Sequence, residues 1–284
     1  MSVEVVRERR TAILVEELGK LPAFLRRDLL TALSYRVAFV SDVLNLVLQT
    51  ATFYFVGLMV DDDVLPTYGG NTTSYLEFAV VGIALSMFIA LGLSRVARAV
   101  RAEQMMGTLE SVLTTPTSPA TVQLGSVVYD LIYIPIRTGL FLVLAAALFG
   151  LDFDASGVGA AAAVLLAFIP FVWGLGIITA AGALTIRGST AGVGFGVSVL
   201  TLVSGAYFPL DLFPAWIQAL AEFNPLAIAI EGMREAMLGS AGWSAVAGDV
   251  LTLLPMSIAS LVCGIVAFRL ALKRERRAGT LGHY

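Results

Sequence analysis

The sequence predicts an all-α integral membrane protein of six transmembrane helices, with an N-terminal interfacial elbow helix and short re-entrant helices between spans five and six. Three observations predict it. Of 284 residues, 58% are hydrophobic and 14% charged, where a soluble globular chain is roughly 45–50% apolar and about 25% charged. The apolar residues gather in runs close to the roughly 20 residues a helix needs to cross about 30 Å of hydrocarbon. Finally, the cations sort to one side of the topology those runs imply.

Residues 1–17 carry mixed charge (Glu4, Arg7, Glu8, Arg9, Arg10, Glu16 and Glu17) and no apolar stretch near position 10. They read as a solvated tail, not a cleavable signal peptide. In residues 18–36, Leu21, Phe24, Leu25, Leu29, Ala32 and Leu33 recur at helical spacing opposite Lys20, Arg26, Arg27 and Asp28. That is the pattern of a helix lying in the interface plane, an elbow leading into span one. A six-helix transmembrane domain follows over 37–272, with spans at 37–60, 76–96, 127–149, 158–186, 192–208 and 250–270. Within it, Pro209, Pro214 and Pro225 cut residues 207–238 into pieces too short to cross the bilayer. Phe208, Phe213, Trp216, Leu220, Phe223 and Leu226 make them apolar enough to enter it, as re-entrant helices on the outer face. Residues 273–284 form a basic cytoplasmic tail.

Orientation follows from the cations. Arg7, Arg9, Arg10, Lys20, Arg26, Arg27 and Arg36 precede span one; Arg95, Arg98 and Arg101 follow span two; Arg187 follows span four; and Arg269, Lys273, Arg274, Arg276 and Arg277 follow span six. Only Arg137 and Arg234 fall elsewhere, while the opposite loops are acidic at Asp61 to Asp63, Asp152, Asp154, Asp211 and Glu222. Both termini are therefore expected in the cytoplasm. The preference for Arg over Lys, with abundant Ala and Gly, hints at a GC-rich bacterial genome, and the expected location is a bacterial or archaeal plasma membrane.

Composition also excludes. One cysteine, Cys263, and one histidine, His283, leave no disulfide framework, metal cluster or triad. No nucleophile stands with a base and no H-E-x-x-H occurs, which argues against an intramembrane enzyme. Nothing implies nucleic acid. There is no G-x-x-x-x-G-K-[ST], so nucleotide phosphates are not cradled by this chain. The run Gly192-Val193-Gly194-Phe195-Gly196 has its third glycine misplaced for a dinucleotide loop and reads as a close helix contact in lipid.

Polar residues inside apolar spans are expensive and therefore informative. In span one Asp42, Asn45, Gln49 and Thr52 recur three or four apart on one face. In span three Asp130 and Arg137 lie two turns apart, able to share a polar interior without touching each other. These residues suit a hydrated pathway; equally, they suit interhelical hydrogen bonds worth roughly 0.6 kcal/mol each.

The most specific signal lies between spans two and three. Residues 103–119 read Glu103-Gln104-Met105-Met106-Gly107-Thr108-Leu109-Glu110-Ser111-Val112-Leu113-Thr114-Thr115-Pro116-Thr117-Ser118-Pro119. After span five come Ser204-Gly205, Phe208-Pro209, Leu212-Phe213-Pro214, Trp216, Asn224-Pro225-Leu226, Glu231 and Arg234. Both stretches, in this order, resemble type 2 ABC-transporter permeases, the transmembrane subunits of ATP-driven exporters. The resemblance covers about residues 18–272.

It implies that the 103–119 loop is a coupling helix seated in a separate ABC ATPase subunit, with Glu103, Gly107, Thr108, Leu109, Glu110, Leu113 and Pro116 forming the dock. Leu109, Val112 and Leu113 would supply an apolar face, and Glu103 and Glu110 would pair with basic groups of the partner. ATP and Mg would bind the ATPase pair and no cofactor this chain. A second permease copy, identical or related, would complete the pathway for a hydrophobic or amphipathic substrate such as a drug, lipid or lipid-linked glycan. The rival reading is a secondary transporter driven by an ion gradient. Against it, only Asp42 and Asp130 are acids deep enough to couple protons, and no inverted repeat is apparent.

For the outer segment, Glu231 and Arg234 stand three apart on a short helix opened by Asn224-Pro225 and can pair. The segment is expected either to form a lid sealed by Phe208, Phe213 and Phe223, or to use the pair to anchor the outer helices.

Overall fold

The computed structural model describes residues 19–60, 65–68, 74–105, 119–185, 189–239 and 242–278. Among them the regular elements are helices: α1 (Leu21–Ser34), α2 (Arg36–Gly57), α3 (Tyr75–Met105), α4 (Pro119–Phe149), α5 (Val158–Thr185), α6 (Ser189–Leu202), α7 (Ala215–Ala221), α8 (Pro225–Leu238) and α9 (Gly242–Ala278). Short 3-10 turns at Ala155–Gly157 and Leu210–Leu212 precede α5 and α7.

Four stretches are long and apolar enough to cross a membrane: Tyr75–Arg95, Val128–Phe149, Ala155–Gly182 and Gly242–Ala271. The other two expected spans are not among these four. At 22 residues α2 has the length to cross the bilayer. At 14 residues α6 is roughly 21 Å long at about 1.5 Å per residue. It stops six residues short of the expected 208, because the chain breaks at Gly205, whose φ of +69° is a left-handed conformation that glycine adopts without a Cβ clash. At the other end of the chain, α9 runs unbroken through the first part of the expected tail to Ala278. Arg and Lys are good helix formers, so nothing in 273–278 stops it.

The centre of the bundle is α3. Its span from Tyr75 to Arg95 is 78% buried, against 22% for that of α9, so α3 is enclosed by protein and α9 lines the outside. Its sequence explains this: Phe78 to Ile89 carries no charge and is apolar on all faces, the mark of a buried helix. Ser74 and Glu77 start it with a reciprocal capping box, Ser74 N–H donating to Glu77 Oε2 at 2.9 Å and Glu77 N–H to Ser74 Oγ at 3.3 Å. Glu77 Oε1 also accepts from the Asp152 amide at 3.2 Å, tying in the turn before α5.

Around α3 pack α4, α5 and α8; α9 lies along α5, and α1 crosses α4. Small residues set the closest approaches. A Cβ at Gly174 would strike Ser260, and one at Gly264 would strike the Gly174 carbonyl, so α5 and α9 meet backbone to backbone, as helices do in lipid. Gly125 likewise admits the Phe24 ring of α1 against α4. Gly192 and Gly196 behave otherwise: among the described residues added Cβ atoms would meet open space, so none of these makes the expected close contact at α6. Cys263 is exposed on α9.

Candidate functional site

Charged residues of three spans meet at one place between α2, α3 and α4. Arg137 on α4 grips Asp42 on α2 with both arms, Nε to Oδ2 at 2.5 Å and NH2 to Oδ1 at 2.6 Å. Tyr133, one turn earlier on α4, donates to the same Asp42 Oδ2 at 3.4 Å. Its ring lies under the Arg95 guanidinium of α3 at 4.8 Å and stacks on Tyr129 at 5.3 Å. Arg95 NH1 in turn donates to Asp130 Oδ1 of α4 at 2.5 Å. Among the described residues two cations and two anions are thus paired inside apolar helices, which is how charge is tolerated there. Arg137 is 7% exposed and Asp42 32%.

The structure brings Asp42, Asp130 and Arg137 together as a network, with Asp130 and Arg137 bonded to different helices and not to each other. Asn45 and Gln49 lie further along α2, Asn45 exposed and Gln49 half-buried. Arg95 and Tyr133 are additions. Read only as a cytoplasmic cation, Arg95 carries a signal that its spacing supplies. It lies 11 residues before position 106 and Asp130 lies 12 after position 118. Helices joined by a short segment place residues equidistant from it at equal depth.

The second cluster is the outer segment. Asn224 caps α8, its side chain accepting from the Leu226 amide at 3.0 Å, and Pro225 takes the first helical position where no N–H is needed. Its Nδ2 donates to the Leu200 carbonyl at 2.9 Å, one of the acceptors left over at the C-terminus of α6. Arg234 is 2% exposed. Its Nε and NH2 donate to the Phe78 carbonyl at 3.2 and 3.0 Å, and NH2 reaches the Gly205 and Ala206 carbonyls at 3.0 and 3.2 Å. Its guanidinium lies 3.4 Å over the Phe78 ring. The expected partner Glu231 stands at 3.7 Å and is 49% exposed. Arg234 is therefore spent mainly on the carbonyls of the chain break that follows α6, and only secondarily on the ion pair.

Gly82 faces that break so closely that a Cβ there would overlap the Ala206 carbonyl. Tyr75 Oη donates to the Tyr207 carbonyl at 3.2 Å, and Phe53 stacks on Tyr207 at 5.6 Å. Tyr68, which no sequence signal singles out, donates to Glu231 Oε2 at 3.1 Å, and burial pushes its phenol well above the usual tyrosine range. Of the expected seal, Phe213 is half-buried, whereas Phe208 and Phe223 are 50% and 76% exposed in the single chain.

In the expected coupling loop, Glu103 falls on α3 near its end. Gly107, Thr108, Leu109, Glu110, Leu113 and Pro116 lie outside the described residues. Among the described residues no group of His, Cys, Asp and Glu could hold a metal ion.

Long apolar helices with their charges paired in the interior define a multi-pass membrane protein. The family model for the ABC-2 type transporter matches residues 21–238, and the chain belongs to that family. Permeases of this family are transport components that work with separate ATPase subunits, where ATP and magnesium bind. No curated protein matches the chain.

Proposed function

We propose that the chain is the transmembrane subunit of an ATP-driven exporter in a bacterial or archaeal plasma membrane. It moves a hydrophobic or amphipathic substrate outward by alternating access. The observation that carries this reading is the family match over residues 21–238, together with the 103–119 sequence as the place where the ATPase docks.

In this reading α2, α3, α4, α5, α6 and α9 are the six spans, α1 is the elbow at the inner interface and both termini are cytoplasmic. The short α6 is completed by the returning segment 203–238, which sits at the outer end as a gate. Two copies enclose the pathway. The open face at Gly192 and Gly196 and the exposed Phe208 and Phe223 are surfaces that a second copy would cover. Asp42 and Asp130 each face an arginine, which disfavours proton coupling by either acid.

The test is purification of the chain in mild detergent from its native membrane. A soluble P-loop ATPase is expected to come with it, and Glu110→Lys or Leu113→Asp is expected to uncouple the pair without affecting membrane insertion. Charge reversal at a docked acid turns attraction into repulsion. A variant complex that assembles and exports normally would show that this loop is not the dock. Export that stops when ion gradients collapse with ATP intact would favour the secondary transporter.

A further inference from the structure

The inner network has a mechanical asymmetry. Along α4, Asp130, Tyr133 and Arg137 form one stripe, and between the last two lies Pro135. A proline has no N–H, so the carbonyl four residues earlier, at Leu131, loses its helical donor, and the ring crowds that turn. Thr138 Oγ1 also donates to the Ile134 carbonyl at 3.0 Å, a side-chain bond that further loosens a helical ladder. The weakest rung of α4 therefore falls between its two ionic anchors.

The anchors differ in geometry. On one side of Pro135, Arg137 and Asp42 make a bidentate contact, which fixes orientation as well as distance. On the other, Arg95 and Asp130 share one hydrogen bond, and Arg95 Nε is buried with no partner among the described residues. Between α3 and α4 the described contact is thus one bond and a ring face, where α2 and α4 share a fork. Separating either pair would strand a charge inside an apolar span, so the helices follow one another instead of parting. From this network to the described inner ends of α3 and α4, at Met105 and Pro119, is about ten residues, roughly 15 Å of helix.

We propose that α4 is a lever hinged at Pro135. Its outer part is locked to α2 through Asp42 and Arg137, and its inner part pivots on α3 through Arg95 and Asp130. Arg95, Tyr133 and Arg137 are then positioning residues that pass a displacement at the inner ends of α3 and α4 to α2. This rests on the reading that those ends face the ATPase, and it adds the route by which the motion enters the membrane.

The experiment uses the full chain in complex with its ATPase subunit in nanodiscs, diluted with unlabelled chain. One spin label sits on Cys263, the single cysteine of the chain and exposed on α9, and the other on Val40→Cys, exposed on α2. The distance is read without nucleotide and after vanadate trapping. A shift of roughly 2–5 Å, the scale of helix displacements in switching proteins, is expected in the otherwise unaltered chain. Pro135→Ala restores the missing rung and should fold well, bind the ATPase and lose more than half of the shift. Arg95→Asp should lose it, and Arg95→Asp with Asp130→Arg should regain it. A full shift in Pro135→Ala, failure of the charge swap to restore what Arg95→Asp loses, or no shift in the parent complex would overturn the lever while leaving the permease reading in place. Absence of any ATPase subunit from the parent preparation would overturn that reading, and the lever with it.

Discussion

Arg234 offers the sharpest energetic test, because its contacts separate two explanations of the same residue. If the ion pair with Glu231 holds α8, either partner should matter alike. The geometry says otherwise. Arg234 is 2% exposed and Glu231 49%, so a Glu231 left alone is re-solvated, whereas the carbonyls of Gly205 and Ala206 are left in a buried site without the donor that reaches them. Each buried acceptor stripped of its donor costs about 1–3 kcal/mol, while the Phe78 carbonyl keeps its own helical bond. Losing the packed stem and the contact with the Phe78 ring adds to this, for about 3–5 kcal/mol in Arg234→Ala. Lysine keeps the charge but has no planar fork to span two elements, so Arg234→Lys should cost about 1–3 kcal/mol. Glu231→Ala removes a half-exposed pair and should cost under about 1 kcal/mol. Equilibrium unfolding in mixed micelles, followed by tryptophan fluorescence, reads the series. A Glu231→Ala loss equal to that of Arg234→Ala, or full recovery in the double variant, would refute the argument from the carbonyls.

Two further predictions use neighbouring features. Gly82→Ala drives a Cβ into the Ala206 carbonyl, backbone against backbone, and should cost at least about 1–3 kcal/mol. Gly192→Ala meets open space among the described residues of the single chain and in the monomeric state should be neutral or gain roughly 0.5–1 kcal/mol from helix propensity; thermal unfolding of the two variants side by side under monomeric conditions decides it. Glu235 supplies a pH signature. Burial, with Asp249 and Glu231 nearby, raises its carboxyl above the usual range, so the folded state favours the protonated acid. That contribution is fully present below the unfolded-state carboxylate pKa and is lost as pH rises through the raised value. Glu235→Gln should therefore raise the melting temperature at neutral pH, with the gain shrinking as the medium is acidified; a gain independent of pH would count against this assignment.

What the sequence by itself determined is what the bilayer dictates to any chain. Apolar runs such as those of α3, α5 and α9 can be read one residue at a time, because crossing hydrocarbon is a matter of length and composition. Asn224-Pro225 announced the start of α8 in the same way, since a cap is a local event. The tertiary structure decided which polar groups meet. Arg95 looked like one more cytoplasmic cation until α3 and α4 were laid side by side and it fell against Asp130. Arg234 looked like the partner of Glu231, three residues away, until the chain break after α6 returned to α3 and offered its carbonyls. In water such groups would be content with solvent; inside a helical bundle they must find one another, and which ones do so depends on how the helices pack.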